Sequence, residues 1–141
     1  MVQDFLNFIE DEQLIAETEK VLLAVSGGVD SVTMANLFQQ SSLDFGIAHC
    51  NFQLRGNESD EDELFVQSMA TKFNRPFFTR IFDTNKYANE KGVSIQMAAR
   101  DLRYKWFEEL LKSEGYHVIA TAHHINDSIE TALFNFTKGT G

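Results

Sequence analysis

Cysteine, proline and basic charge are all scarce in this chain, and no long apolar run is present. Its 141 residues include one cysteine, Cys50, and one proline, Pro76. A single thiol can neither close an internal disulfide nor build a cysteine-rich metal knuckle. A disulfide scaffold is therefore excluded, and with no charged-then-apolar leader a reducing, cytoplasmic setting is expected. One proline and eight glycines leave little room for a flexible linker. Apolar runs such as residues 21–25 fall far short of the ~18 residues that cross a bilayer, so no membrane partner is expected. Lysine and arginine total 12 against 21 aspartate and glutamate, a net charge of −9. That sign is wrong for a surface that grips phosphate backbones by itself.

What is present is ordinary globular usage, with 43% hydrophobic and 23% charged residues, enough for one domain with a real core. Phe5, Leu6, Phe8 and Ile9, followed by Leu14 and Ile15, suit one side of an acidic helix. The period then changes. Residues 21–25 form a continuous apolar run stopped by glycines, as expected of a strand covered on both faces. A helix carrying Val32, Ala35, Leu37 and Phe38 follows, then a strand over 45–50, a polar loop over 51–57, and a helix from Ser59 to about Phe73. A third strand over 77–82 leads into a polar stretch, 83–91. Ser94 can cap a long helix that buries Ile95, Ala98, Leu102, Trp106 and Leu110. Residues 118–122 read as a fourth strand and 126–136 as a closing helix. Such alternation predicts an α/β fold, an open, doubly wound parallel sheet with helices on both faces.

The polar clusters fall at the carboxyl ends of these strands, where open parallel sheets bind ligands. Ser26, Gly27, Gly28, Val29, Asp30 and Ser31 follow the first strand; His49, Asn51 and Arg55 the second; Asp83 the third; His123, His124, Asn126 and Asp127 the fourth. In the first loop, glycines permit a tight turn and close approach of an anion to backbone N–H groups. The serines add hydroxyls, and the next helix directs its positive end at the same place. The loop is a phosphate cradle without the Lys-Ser/Thr ending of a Walker loop or the three-glycine dinucleotide fingerprint. Asp30 would repel a phosphate unless a cation lay between them, and magnesium is the natural mediator. The plainer reading is a strand-to-helix turn with a first-turn acid.

The hexapeptide from Ser26 to Ser31 resembles the Ser-Gly-Gly-x-Asp-Ser loop of the N-type ATP pyrophosphatases, the PP-loop family, which cleave ATP between the α and β phosphates. Three further segments resemble the tRNA(Ile)-lysidine synthases within it: residues 49–56 with Glu58, Ser59 and Asp60; residues 96–104; and residues 123–131. The resemblance implies an adenine nucleotide α-hydrolase-like, Rossmann-like sheet. It implies an ATP-dependent ligase that adenylates C2 of the wobble cytidine of a tRNA(Ile) with a CAU anticodon. Free L-lysine then displaces AMP, pyrophosphate having left. By the same resemblance, residues 26–31 hold the pyrophosphate part of ATP, and Asp30 and Asp127 hold Mg2+. His123, Arg100 and Arg103 face the adenylated cytidine or transferred phosphate, and Glu130 orients the site. Relatives continue past Gly141 into tRNA-holding domains, which implies an N-terminal catalytic domain over 1–141, and relatives often pair as homodimers.

Spacing alone leaves more modest alternatives. Gln96, Arg100 and Arg103 share a helix face, where the arginines could equally be solvated partners of Glu108 or Asp101. His123 suits a core position at a strand end as well as a site; His124 and His117 read as structural or surface residues. Cys50 reads as a small buried residue rather than a nucleophile. Compared with many relatives, Asn126 stands for an aspartate, Phe52 for a histidine and Gln96 for a glutamate, which weakens metal binding at 126 and removes a polar contact at 52. The alternatives in function are a tRNA sulfur-transferase of the same family, disfavoured by a single cysteine, and a non-catalytic ATP-binding module.

Overall fold

The computed structural model describes residues 2–126 and 129–138, with side chains described outside 123–135. Its elements are α1 (Val2–Asp11), β1 (Val21–Ala24), α2 (Val29–Ser41), β2 (Phe45–Asn51), α3 (Asn57–Phe73), β3 (Phe77–Ile81), α4 (Thr84–Lys91), α5 (Ile95–Glu114), β4 (Val118–Asn126) and β5 (Ile129–Lys138). The five-stranded sheet has the order β3-β2-β1-β4-β5. The first three neighbouring pairs are parallel, and β1 lies at the centre, aligned with Phe45 of β2 and Val118 of β4 at Val21.

Alternation along the central strands sorts side chains into two cores. Val21, Leu23 and Val25 join Phe45, Ile47, Val118 and Ala120 beneath α1, α2 and α3. Leu22 and Ala48 face the opposite way, against Trp106, Phe107, Leu110 and Leu111 of α5. Leu22 and Leu23 are both fully buried, each worth roughly 1.5–3 kcal/mol of transfer free energy. A strand with two apolar faces must read as an unbroken run, and β1 does. Helix α5 starts where Ser94 Oγ accepts from Met97 N at 3.1 Å and stops at Gly115 with φ 74°.

Four expectations need correction. The closing helix expected over 126–136 is replaced by β5, antiparallel to β4 from Val118↔Lys138 to Asn126↔Ile129. The sheet is therefore mixed, with an antiparallel edge beside its parallel strands. The physical reason lies in the segment's β-branched and aromatic residues. A strand here brings Phe136 to 6.3 Å from Phe38 and against the core. The polar stretch 83–91 contains helix α4, which buries little beyond Thr84 and Ala88. Asp83 caps it by accepting from Lys86 N at 3.2 Å. Helix α3 begins at Asn57, before the expected Ser59, whose Oγ instead accepts from Arg55 N at 3.2 Å. Ile95, assigned to the buried side of α5, is 37% exposed. Among the described residues no helix is long and apolar enough to cross a membrane.

Gly46 sits where no side chain fits, since a Cβ would overlap Tyr116 Oη and come within 2.8 Å of Cζ. Tyr116 is held by an edge-on contact with Phe78 at 5.9 Å and by Lys20 over its ring at 4.7 Å. Gly46→Ala should therefore destabilise the fold by about 1–3 kcal/mol, read as a lowered midpoint in urea. Tyr116→Leu in the same chain should recover part of the loss, and strictly additive effects would contradict the clash.

Candidate active site

The chain leaves β1 at Ala24 and must turn immediately, because Val25 is still buried and Gly28 already precedes α2. Gly27 makes the turn at φ +100°, a conformation costly for any other residue. The loop is organised around Ser31, which is 4% exposed. Its Oγ accepts from Ser26 N at 3.2 Å and Gly27 N at 3.3 Å, and stands 3.3 Å from Ser26 Oγ. The Ser31 hydroxyl proton goes to Gly28 O at 3.0 Å. Ser26 Oγ therefore donates to Ser31 while accepting from Gly28 N at 3.2 Å. Three donors share an oxygen with two lone pairs, so the loop holds more hydrogen-bonding capacity than its own residues satisfy. At Gly28 no side chain caps α2, and the first-turn amides lack intrahelical acceptors. Asp30 stands half-buried in that turn.

The second wall comes from β2 and α3. His49 is buried, with Nδ1 2.8 Å from Val25 O; because a carbonyl only accepts, Nδ1 carries the proton. This bond ties the end of β2 to the residue that enters the loop. Asn51, 1% exposed, donates through Nδ2 to Asp60 Oδ1 at 3.0 Å and accepts from Gln53 N at 3.1 Å. Arg55 pairs with Asp62, and Asp62 lies beside Gly27, 3.5 Å from where a Cβ would stand. Ser26, His49, Asn51, Arg55 and Asp62 border one cleft of about 290 Å³.

The third wall is α5. A smaller cleft of about 130 Å³ opens between the ends of β1, β2 and β4, bordered by Ser26, Ser31, Cys50, Arg103, Phe107 and Thr121. Small residues, Ala24, Ala48 and Ala122, make the space. Arg103 also borders a cleft of about 530 Å³ with Gln96, Met97 and Arg100. The two arginines thus share one opening, and among the described residues neither forms an ion pair with Glu108, Asp101 or any other acid. Burial pushes the Cys50 thiol up to about 12, against the opposing pull of Arg103 and Arg80. A thiol so disfavoured as thiolate is not a nucleophile.

The expected residues divide plainly. Ser26, Gly27, Gly28, Val29, Asp30 and Ser31 form one compact loop, and His49, Asn51 and Arg55 meet it. Arg100 reaches the neighbouring cleft rather than the loop. Asp83 is the cap of α4 and borders a separate recess with Phe52. Asp127 lies outside the described residues, as do the side chains of His123, His124, Asn126 and Glu130. Sequence reasoning used Asp62 only as a helix-start signal. Its place beside the loop follows from the parallel crossover, which brings the first turn of α3 next to the end of β1.

A family model described as a PP-loop domain matches residues 1–141. The tRNA(Ile)-lysidine synthase of Bacteroides thetaiotaomicron is 47% identical over 139 residues, covering 99% of this chain and 33% of that protein. That of Parabacteroides distasonis is 43% identical over 141 residues, covering 100% and 32%. That of Chlorobaculum tepidum is 43% identical, covering 97% and 43%. The chain spans about a third of the length of the first two relatives. Among solved structures, the NH3-dependent NAD synthetase of Campylobacter jejuni, in complex with the nitrate ion, aligns with a TM-score of 0.64 at 15% identity, over 84% of this chain and 53% of that one. That likeness is one of fold.

Cys50 gives a direct test of the packing at the strand ends. Its folded value, about 12, lies above the ordinary 9.0. The stability linked to it is therefore intact below pH 9 and lost as pH rises toward 12. At pH 8 iodoacetamide should label Cys50 at well under a tenth of the rate seen in denaturant. Equal rates would contradict the burial.

Proposed function

The chain belongs to the PP-loop domain family, and from that premise we propose that it is the ATP-using domain of an enzyme that ligates lysine to C2 of the wobble cytidine of tRNA(Ile). ATP would first adenylate the base, releasing pyrophosphate, and the lysine amine would then displace AMP. The observation that carries the reading is the opening of the surplus loop donors and of Arg103 into one cleft at the sheet's switch point. The high similarity to lysidine synthases along the whole chain supports it independently.

In this reading the amides and hydroxyls of residues 26–31 bind the pyrophosphate part of ATP. An anionic oxygen is a better acceptor than the crowded Ser31 hydroxyl, so binding relieves the shared hydrogen bonds rather than competing with strong ones. Magnesium would supply positive charge between phosphate and carboxylate. In this reading Asp30, in the first turn of α2, and Asp127 would hold it. Among the described residues no three acids, histidines or cysteines are grouped as a metal site. Magnesium takes one or two carboxylates plus phosphate oxygens. Arg103 and Arg100 would hold the transferred phosphate and the RNA strand, since attack at phosphorus is catalysed mainly by positioning and positive charge. His123 and Glu130 would complete the site on the β4 side.

The test is chemical. With ATP, magnesium, lysine and a CAU tRNA, the full gene product should release AMP and pyrophosphate and raise the nucleoside mass by one lysine residue. Unsplit ATP would instead favour a non-catalytic nucleotide-binding module. Asp30→Asn should slow adenylation by ~10² or more, the scale of losing one preorganised electrostatic group; a near-normal rate would remove Asp30 as a magnesium ligand. Gly28 has φ −74°, so valine is tolerated by the backbone, yet its side chain would stand over the amides. Gly28→Val should weaken ATP binding at least tenfold by calorimetry, and unchanged affinity would contradict the cradle.

A further inference from the structure

Phe52 borders four clefts at this end of the sheet: the two that meet at Ser26, the one carrying Arg100 and Arg103, and the recess beside Asp83. The ring is fixed. Phe52 O accepts from Thr84 Oγ1 at 2.8 Å, and the preceding carbonyl, Asn51 O, accepts from Phe82 N at 2.8 Å. One face stacks on Phe82, with centroids 5.6 Å apart and planes at 23°. Phe82 in turn meets the edge of Trp106 at 6.0 Å. The ring is only half-buried, so a rigid flat apolar surface faces the cleft of about 530 Å³.

The rest of that cleft is unlike the protein around it. In a chain of net charge −9, it gathers two guanidiniums with no acidic partner among the described residues. Both lie close to Tyr104, with Arg100 Cζ at 5.0 Å and Arg103 Cζ at 5.1 Å from the ring centre. Arg103 Nε is buried with no hydrogen-bond partner among the described residues, a donor whose desolvation none of them offsets. Gln96 adds an amide that can both donate and accept. A flat wall, an amide and cations that meet no acid among the described residues suit an unstacked nucleobase together with its phosphate.

We propose that the ring of Phe52 is the wall against which the target pyrimidine of the RNA stacks, in the cleft of Gln96, Met97, Arg100 and Arg103. This rests on the reading above and names the residue that positions the base. The test uses the 141-residue chain and a short RNA hairpin with a CAU loop, carrying 5-bromocytidine at the target position, at low salt. On irradiation the pyrimidine should couple to Phe52, mapped by peptide mass. The yield should fall at least tenfold in Phe52→Ala and stay within about twofold in Phe52→Tyr, which keeps the ring. Coupling elsewhere, no coupling, equal yields from Phe52→Ala, or loss of coupling when ATP is added, which would put adenine in the cleft, each overturns the proposal. Calorimetry of the unsubstituted chain with ATP separates the two claims. No ATP binding defeats the broader reading, whereas ATP binding without coupling at Phe52 defeats this one alone.

Discussion

The structure depends on one strand having no exposed face. Because β1 is buried on both sides and flanked on both edges, its backbone polar groups are satisfied by β2 and β4 until the chain reaches Val25. Beyond that residue the ladder ends, the sheet's neighbours diverge, and the amides of the loop need acceptors that the sheet no longer supplies. Ser31 serves as a stopgap for several donors at once. The surplus of donors in the loop is thus a consequence of central-strand burial, not an added feature. The same burial explains why the turn must be abrupt and why Gly27 stands at a positive φ.

Where the central strand ends also determines what surrounds the loop. The crossover through α3 brings Asp60 and Asp62 to one side, and the return through α5 brings Arg103 to the other. Acidic and basic groups are therefore separated across the switch point, even though the whole chain is acidic. The acids are tied up locally, Asp60 by Asn51 and Asp62 by Arg55, while the arginines of α5 lie over Tyr104 and meet no acid among the described residues. A net charge of −9 thus coexists with a cationic cleft, because charge is balanced within a few ångströms rather than over the molecule, and screening removes the remainder beyond roughly 10 Å.

Sequence legibility followed burial. The unbroken run of β1, the glycine-rich turn and the long amphipathic α5 were readable because each is a local pattern with a single physical meaning. Helix α4 was not, since it rests on a cap and two small buried residues, Thr84 and Ala88, and otherwise reads as a polar loop. Strand β5 was hidden for the opposite reason. Its residues suit a short apolar helix or a strand, and the choice depends on Phe136 finding Phe38 across the core, a contact that no window of sequence contains. Within the site, the loop and His49, Asn51 and Arg55 were found from strand-end position alone. Asp62 and the bordering role of Phe52 needed the crossovers to be known.

Phe52 also shows how shape and polarity are divided in the cleft. A phenylalanine supplies the area and thickness of a flat ring without a hydrogen-bonding edge. Phe82 and Trp106 form an aromatic shelf behind the position, against which it packs without burying an unsatisfied nitrogen. The polar demands of the cleft fall instead on Gln96, Arg100 and Arg103, all on one helix whose start is fixed by Ser94. Shape is thus provided by the end of β2 and charge by α5. Those elements meet in the core shared by Ala48, Phe82 and Trp106, so their alignment is fixed by the same packing that buries Leu22 of the central strand.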